Sequence, residues 1–292
     1  MRFAAVGLGA ILTLGGCGAG TASTAGVPVA ASLYPLAEFA RRIGGDRVTV
    51  RTLVPPGVAP HDYEPTPKDL TILLRVKLFI YSGAGFEPLA AKLLAQVPEG
   101  TVTVDATEGL PLLAARGGLD PHVWLDPVLA QHQAARILEG LIRADPDGRV
   151  TYEANAAELR TELDALHREF ARVLSRCARR EFITSHAAFG YLAKRYGLQM
   201  IPISGPSSEA EPSARRLAAV VRRARQHAIR IIYVDPLASA RAAETVAREA
   251  GAAVAALHTL EGLTKAQRRQ GATYVTVMHE NLRHLAQGLD CR

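Results

Sequence analysis

The chain has 292 residues, of which 48% are hydrophobic and 21% charged, and its formal net charge is +6. This composition excludes disorder for the bulk of the chain, and the length fits one large domain or two small ones. The only long apolar stretch is N-terminal, which excludes a polytopic membrane protein. The arginines are scattered and mixed with glutamates, so the positive charge does not indicate nucleic-acid binding. Three cysteines are too few for a disulfide scaffold or a Cys-rich zinc module.

The N-terminus has the layout of a secretory signal peptide, which we predict to span residues 1–16. Arg2 precedes an apolar run that is too short to span a membrane, and small residues follow. The sequence Leu-Gly-Gly-Cys ending at Cys17 resembles the lipobox of bacterial lipoproteins, which implies a lipid anchor on Cys17. The alternative is an ordinary cleaved signal. Residues 17–26 are rich in Gly, Ala, Ser and Thr and predict a flexible tether.

Export would place the protein in an oxidising compartment. The two cysteines that remain after Cys17 are Cys177 and Cys291. We therefore predict one disulfide between them, with two buried free thiols as the alternative.

From Val27 onward, strand-like apolar runs alternate with helical patterns, which is typical of parallel βαβ units. Thr66, Pro67 and Asp69 have the arrangement of a helix start. Near mid-chain, apolar residues at three- and four-residue steps predict one long helix; they are Leu159, Leu163, Leu166, Phe170, Val173 and Cys177. The predicted fold is α/β, with two βα lobes that contain parallel sheets and are joined by this helix. We place the lobes at residues 27–145 and 181–292, and the linking helix at residues 146–180.

Four histidines follow predicted strands: His61, His122, His186 and His258. Ligands bind at the carboxyl ends of strands in open α/β sheets, and two of these residues come from each lobe. A cleft between the lobes could therefore bring all four imidazoles together. Imidazole nitrogens suit Zn²⁺, although no local metal motif links such widely separated residues.

The residues around the first three histidines carry a longer pattern. PPGVAPHDYEPTPKDL contains His61, DPHVWLDP contains His122, and ITSHAAFGYLAKRYGL contains His186. These segments resemble the three metal-binding motifs of the metal-specific solute-binding proteins of bacterial ABC importers. That family handles zinc and manganese, and the resemblance runs from Val27 to Cys291. It implies a metal site in the cleft between the lobes.

The resemblance also implies a function. We expect an exported, lipid-anchored, monomeric receptor that captures a metal ion and passes it to a permease and its ATPase on separate chains. The chain contains no phosphate-binding GxxxxGK[ST] loop of its own. A lipoprotein adhesin is the alternative role, and a zinc hydrolase is not favoured because it would need an open coordination position beside a general base.

The fourth ligand is predicted to be His258. The segment LHTLEGLT resembles a family segment that usually reads Leu-Asp-Pro or Leu-Asn-Pro, so His258 stands where relatives often place an aspartate ligand. The sequence leaves three candidates open for the fourth position: His258, Glu261 or water.

The ligand types favour zinc over manganese. Manganese members tend to place Glu where this chain has His186, and an imidazole-rich site favours Zn²⁺ over the harder Mn²⁺. Copper binds such ligands more tightly still. Carboxylates close to the motifs could hold the metal-binding imidazoles in place, and Trp124 could shield the site from solvent; the carboxylates are Asp62, Glu64, Asp120 and Asp126.

Overall fold

A computed structural model describes Met1 and residues 26–58, 60–85, 88–115, 118–205 and 211–292. The predicted signal peptide and the predicted lipid site at Cys17 lie outside these residues. None of the helices in the described part of the chain combines the length and hydropathy needed to cross a bilayer.

The N-terminal half contains a four-stranded sheet. Its strands are β1 (Val27–Ala31), β2 (Val48–Thr52), β3 (Leu78–Tyr81) and β4 (Val102–Asp105). They are all parallel and lie in the order β2-β1-β3-β4. β1 and β3 are apolar along most of their length because they lie in the centre of a parallel sheet that is covered on its faces.

Helices connect these strands, as the alternating pattern predicts. They are α1 (Tyr34–Gly44), α2 (Pro67–Leu73) and α3 (Pro88–Leu94). α2 begins where the sequence predicts: Thr66 and Asp69 exchange side-chain and backbone hydrogen bonds in a capping box, and Pro67 is the first helical residue.

A short hairpin and two long helices follow the first sheet. The hairpin consists of β5 (Ala114–Ala115) and β6 (Gly118–Leu119), which pair antiparallel. The helices are α4 (Pro127–Ala144) and α5 (Arg149–Leu174). α5 is the predicted long helix, and it packs against α1 and α4. It ends at Leu174, so Cys177 lies beyond it rather than on its apolar stripe.

The C-terminal half repeats the architecture. Its strands are β7 (Glu181–Thr184), β8 (Gln199–Pro202), β9 (Ile231–Val234) and β10 (Ala253–Ala256). They form a second all-parallel sheet in the order β10-β9-β7-β8. Its helices are α6 (Gly190–Arg195), α7 (Ala214–Gln226), α8 (Arg241–Ala250), α9 (Lys265–Arg269) and α10 (Tyr274–Gly288).

One apolar core runs through the middle of the molecule and includes residues of both sheets, of α5 and of α10. Within it the rings of Phe39 and Tyr274 meet edge to face, with their centroids 5.0 Å apart. A smaller second core lies between the C-terminal sheet and helices α7 and α8. The shared core joins the two sheets into one packed structure.

The predicted disulfide is present. Cys177 and Cys291 are bonded and also form an isolated antiparallel backbone bridge. The bond closes a loop with a sequence separation of 114 residues, and it fixes the C-terminus of the chain to the segment that follows α5.

Candidate metal centre

Four candidate ligands, all in segments that follow strands, lie close together. His61 lies in a single turn of 3-10 helix (Pro60–Asp62) in the loop after β2, and His186 follows β7 directly. His122 follows the β5–β6 hairpin, and Glu261 lies in the loop after β10. One ligand atom from each of these four residues lies within 4.8 Å of the others. The structure therefore brings together three of the four predicted histidines and adds a carboxylate.

The group is almost completely buried. The side chains of His122 and His186 are 0% and 1% exposed, those of Glu261 and His61 are 4% and 10% exposed, and only His61 retains a small opening to solvent. Polar groups of this kind are not buried without compensating partners. Among the described residues, the buried Nε2 of His186 has no hydrogen-bond partner, which fits a nitrogen that is held for a metal ion.

The spacing of the ligand atoms suits a small four-coordinate ion. Oε1 of Glu261 lies 3.5 Å from Nε2 of His61, 3.3 Å from Nε2 of His122 and 3.5 Å from Nε2 of His186. In a tetrahedral zinc site with bonds of about 2.0–2.1 Å, two ligand atoms are about 3.3–3.4 Å apart. The carboxylate oxygen is therefore already at the distance from each imidazole nitrogen that zinc coordination requires.

A second carboxylate fixes the orientation of His122. Oδ1 of Asp120 accepts a hydrogen bond from the backbone N–H of His122 at 3.0 Å and lies 2.8 Å from Nδ1 of its ring. Nδ1 therefore donates to Asp120, and Nε2 is the nitrogen that faces the group.

The electrostatics of the metal-free group favour a proton on His122. Burial opposes the charged imidazole, but the carboxylates of Asp120 and Glu261 outweigh it and raise the pKa of His122 to about 9. Burial alone would also raise the pKa of Glu261, but the three imidazoles around its carboxylate hold that pKa well below its usual range. A metal ion that enters the group must therefore displace a proton from His122.

His258 does not join the group, and the expected convergence of four histidines is corrected to three histidines and Glu261. Nδ1 of His258 accepts a hydrogen bond from the backbone N–H of Leu260 at 2.9 Å, and its Nε2 lies 2.9 Å from Oε1 of Gln267. One ring nitrogen is therefore bonded within the loop that follows β10, and the other contacts a side chain of α9.

The contacts of His258 hold that loop in shape. Leu260 has a φ of 60°, a left-handed conformation that is strained for a leucine. Asn281 accepts from the backbone N–H of His258 at 2.8 Å and donates to its carbonyl at 2.7 Å. The loop thus turns sharply after His258, and the next residue after Leu260 is Glu261, which points into the group.

The other residues singled out near the motifs take different roles. Trp124 is fully buried, its ring centroid is 5.3 Å from that of His122, and its Nε1 donates to the carbonyl of Thr259 at 2.7 Å. It therefore covers one side of the group, as the sequence suggested. Asp126 caps α4 and pairs with Arg195 at 2.8 Å, and Glu64 pairs with Lys92 near the surface. The side chain of Asp62 lies outside the described part of the structure.

From the sequence, Glu261 is one of three candidates for the fourth ligand. The signal that favoured His258 was its position directly after a strand, which it shares with His186. No local signal in LHTLEGLT favoured Glu261, because the turn that directs its carboxylate into the group is made by the left-handed Leu260 and not by Gly262.

Comparison with known proteins agrees with this geometry. Residues 29–288 match the family model of ZnuA, described as the periplasmic component A of a zinc-uptake complex. The high-affinity zinc uptake system protein ZnuA of Bacillus subtilis is 38% identical over 279 residues, which cover 89% of this chain and 87% of that protein. The zinc-binding lipoprotein AdcA of Streptococcus pneumoniae is 36% identical over 280 residues, and the match covers 90% of this chain but 56% of AdcA.

Solved structures give the same result. The Zn(II)-bound ZnuA-like domain of Streptococcus pneumoniae AdcA superposes with a TM-score of 0.81 at 37% identity, covering 91% of this chain and 99% of that domain. The predicted resemblance to metal-specific solute-binding proteins is thereby confirmed, and the chain belongs to the ZnuA family, the periplasmic component A of zinc-uptake complexes.

Proposed function

We propose that this protein is an extracytoplasmic zinc receptor that binds Zn²⁺ through Nε2 of His61, His122 and His186 and a carboxylate oxygen of Glu261. The observation that carries the proposal is the distance of 3.3–3.5 Å between the carboxylate oxygen and each imidazole nitrogen, which matches the edge of a zinc tetrahedron. Proteins of this family are substrate-binding receptors of ABC importers and not enzymes. Zinc is accordingly the cargo of this chain.

The ligand set supports zinc over manganese. Three nitrogens and one carboxylate in a compact buried group suit a four-coordinate borderline-soft ion, whereas Mn²⁺ favours more oxygen ligands and a larger coordination number. Cu²⁺ would bind imidazoles more tightly, so selection against copper depends on its supply and on the tetrahedral geometry.

Thermal melting of the metal-free protein with equimolar Zn²⁺, Mn²⁺, Cu²⁺ or Ni²⁺ tests the proposal. A ligand that binds only the folded state raises the melting temperature in proportion to the logarithm of its concentration over Kd. We expect a large rise with Zn²⁺ and little change with Mn²⁺, and the rise with Zn²⁺ should disappear in His186→Ala. An equal or larger rise with Mn²⁺ would contradict the assignment of zinc.

The delivery partners follow from the family. Family members work with an ABC permease and its ATPase, and we assign this chain the role of handing Zn²⁺ to such a permease on a separate chain. The expected signature is loss of zinc uptake when the receptor is deleted, with recovery on addition of excess zinc. Uptake at low zinc that does not depend on the receptor would contradict this role.

We place the mature protein at the outer face of the cytoplasmic membrane, anchored by lipid on Cys17. The support is the lipobox-like sequence that ends at Cys17 and the lipoprotein name of the relative AdcA. A Cys17→Ser variant should be released from the membrane fraction and should lack the mass of the acyl groups. Membrane retention of Cys17→Ser would show that the anchor lies elsewhere.

The predicted lobe boundaries form part of the same proposal. Residues 27–145 contain one parallel sheet and residues 181–292 contain the other, with α5 inside the proposed linking segment 146–180. Each lobe supplies two of the four candidate ligands, so zinc would bind at the junction of the lobes.

A further inference from the structure

We infer that Tyr191 and Gly190, which lie in the C-terminal lobe, are positioning residues that hold Asp120 of the N-terminal lobe in place and thereby aim His122 at the metal. This inference rests on the proposed zinc site. It gives two residues outside the proposed ligand set a share in the affinity of the site.

The first support is the contact of the Tyr191 hydroxyl. This hydroxyl donates to the backbone carbonyl of Asp120 at 2.7 Å and accepts from the backbone N–H of Leu113 at 2.9 Å. The backbone N–H of Asp120 in turn donates to the carbonyl of Leu113 at 2.8 Å. Tyr191 therefore closes the open end of the β5–β6 hairpin, immediately before the segment that carries His122.

The second support is the fit between Gly190 and the carboxylate of Asp120. A Cβ atom on Gly190 would lie 2.6 Å from Oδ2 of Asp120, which is closer than nonbonded atoms approach. The absence of a side chain at Gly190 thus makes room for one oxygen of Asp120, while the other oxygen binds the backbone and ring of His122. Tyr191 fixes the main chain of Asp120, and Gly190 leaves space for its carboxylate.

Burial makes these contacts effective. Asp120 is 5% exposed and Tyr191 is 3% exposed, so water cannot readily replace either partner. His186, a candidate ligand itself, begins the short segment that leads to Gly190 and Tyr191. One segment of the C-terminal lobe therefore supplies one ligand and orients another ligand from the opposite lobe. The site is complete only when the two lobes are correctly placed relative to each other.

Tyr191→Phe tests the contribution of the hydroxyl with little change in packing. Tyr233→Phe is the matched control, because the Tyr233 hydroxyl is also buried and donates to a backbone carbonyl, that of His284, at 2.6 Å. We expect zinc affinity to fall about 3–10-fold in Tyr191→Phe, the effect of losing the hydrogen bond to the Asp120 carbonyl, and to stay unchanged in Tyr233→Phe. The melting temperature of metal-free Tyr191→Phe should fall at least as much as that of Tyr233→Phe, because the Tyr191 hydroxyl makes two hydrogen bonds and the Tyr233 hydroxyl one.

Gly190→Ala tests the fit of the carboxylate. Because loss of a group that orients a metal-bound histidine costs about 10–100-fold in metal affinity, we expect a loss in that range for Asp120→Ala and for Gly190→Ala. In the Asp120→Ala background the added methyl group meets no carboxylate, so Gly190→Ala should then have no further effect. The visible spectrum of bound Co²⁺ should change in Tyr191→Phe and in Gly190→Ala, because the spectrum reports the geometry of the ligands rather than stability.

The outcomes separate this inference from the proposed function. If the wild-type protein binds zinc tightly and Tyr191→Phe and Gly190→Ala match it in affinity and in Co²⁺ spectrum, the inference is wrong and the zinc site stands. If Gly190→Ala weakens binding equally with and without the Asp120 carboxylate, it does not act through Asp120 and the inference is also wrong. If the wild-type protein does not bind zinc, the proposed function fails, and this inference fails with it.

Discussion

Replacing Glu261 with glutamine tests whether a carboxylate completes the metal group. The substitution keeps the size and shape of the side chain and removes its negative charge. Glu261 is 4% exposed, and its Oε1 is 3.3–3.5 Å from three imidazole nitrogens. Its charge therefore acts in a buried environment on the proton of His122 or on a bound zinc ion. Removal of one partner from a buried charge pair costs about 3–5 kcal/mol. At about 1.4 kcal/mol per tenfold change, zinc affinity should fall by roughly two to three and a half powers of ten.

The assay is competition for zinc between the protein and a chromophoric chelator, and His258→Asn is the companion variant. In the structure His258 accepts a hydrogen bond from the N–H of Leu260, and an asparagine side chain makes the same turn. We therefore expect His258→Asn to keep its zinc affinity within about threefold of wild type, because this substitution preserves one hydrogen bond and removes no ligand. Zinc binding by Glu261→Gln as tight as that of wild type, or a loss of affinity in His258→Asn as large as that in Glu261→Gln, would refute the assignment of Glu261 as the fourth ligand.

Three further predictions follow from the same structure. Because the pKa of His122 is raised to about 9, zinc affinity should fall about tenfold for each pH unit below that value. Calorimetry of zinc binding at pH 7.5 in two buffers should count about one released proton. A zinc affinity that stays constant between pH 7 and 8.5 would contradict this. The raised pKa of His122 also stabilises the folded metal-free protein. This contribution to the free energy of unfolding should be complete below about pH 6.5 and lost as the pH rises through about 9, as measured by urea unfolding. A free energy of unfolding that is independent of pH across this range would contradict the prediction. Replacing Cys177 and Cys291 by serine should lower the free energy of unfolding by about 2–5 kcal/mol, whereas a double variant as stable as the oxidised protein would show that the bond has no stabilising effect.

Much of the fold was predictable because the apolar periodicity is strong. The alternation of strands and helices predicted both parallel sheets, and the stripe of Leu159, Leu163, Leu166 and Phe170 predicted α5. The β5–β6 hairpin was not predictable, because strands of two residues carry no periodic signal. The end of α5 was also missed: Cys177 continues the helical spacing in sequence, but the chain leaves the helix at Leu174 and pairs with the C-terminus instead.

The position of the candidate site was predictable, but which side chain of the loop after β10 faces it was not. His61 and His186 follow strands of the two parallel sheets, whose topology brings strand ends together, and His122 follows the β5–β6 hairpin. His258 also follows a strand, but the left-handed conformation of Leu260 turns the loop so that the next residue, Glu261, faces the group. A conformation of that kind depends on tertiary contacts such as those between His258 and Asn281, which lie 23 positions apart along the chain, and no local pattern reveals it.

The lobes are also expected to move little when metal binds. Trp124 and Asp126 of the N-terminal lobe bond directly to Thr259 and Arg195 of the C-terminal lobe, and α5 packs against helices of both lobes. Small-angle scattering should give the same radius of gyration for the metal-free and zinc forms, and a change of several ångströms would contradict a rigid junction.

The most direct test of the account is a crystal structure of the zinc-loaded protein with anomalous data collected at the zinc absorption edge. We predict one dominant anomalous peak at the junction of the lobes, with bonds of about 2.0–2.1 Å to Nε2 of His61, His122 and His186 and a bond of about 2.0–2.2 Å to a carboxylate oxygen of Glu261. His258 should keep its hydrogen bonds to Leu260 and Gln267. A peak elsewhere, or a zinc ion bound by His258 in place of Glu261, would contradict the assignment of the site.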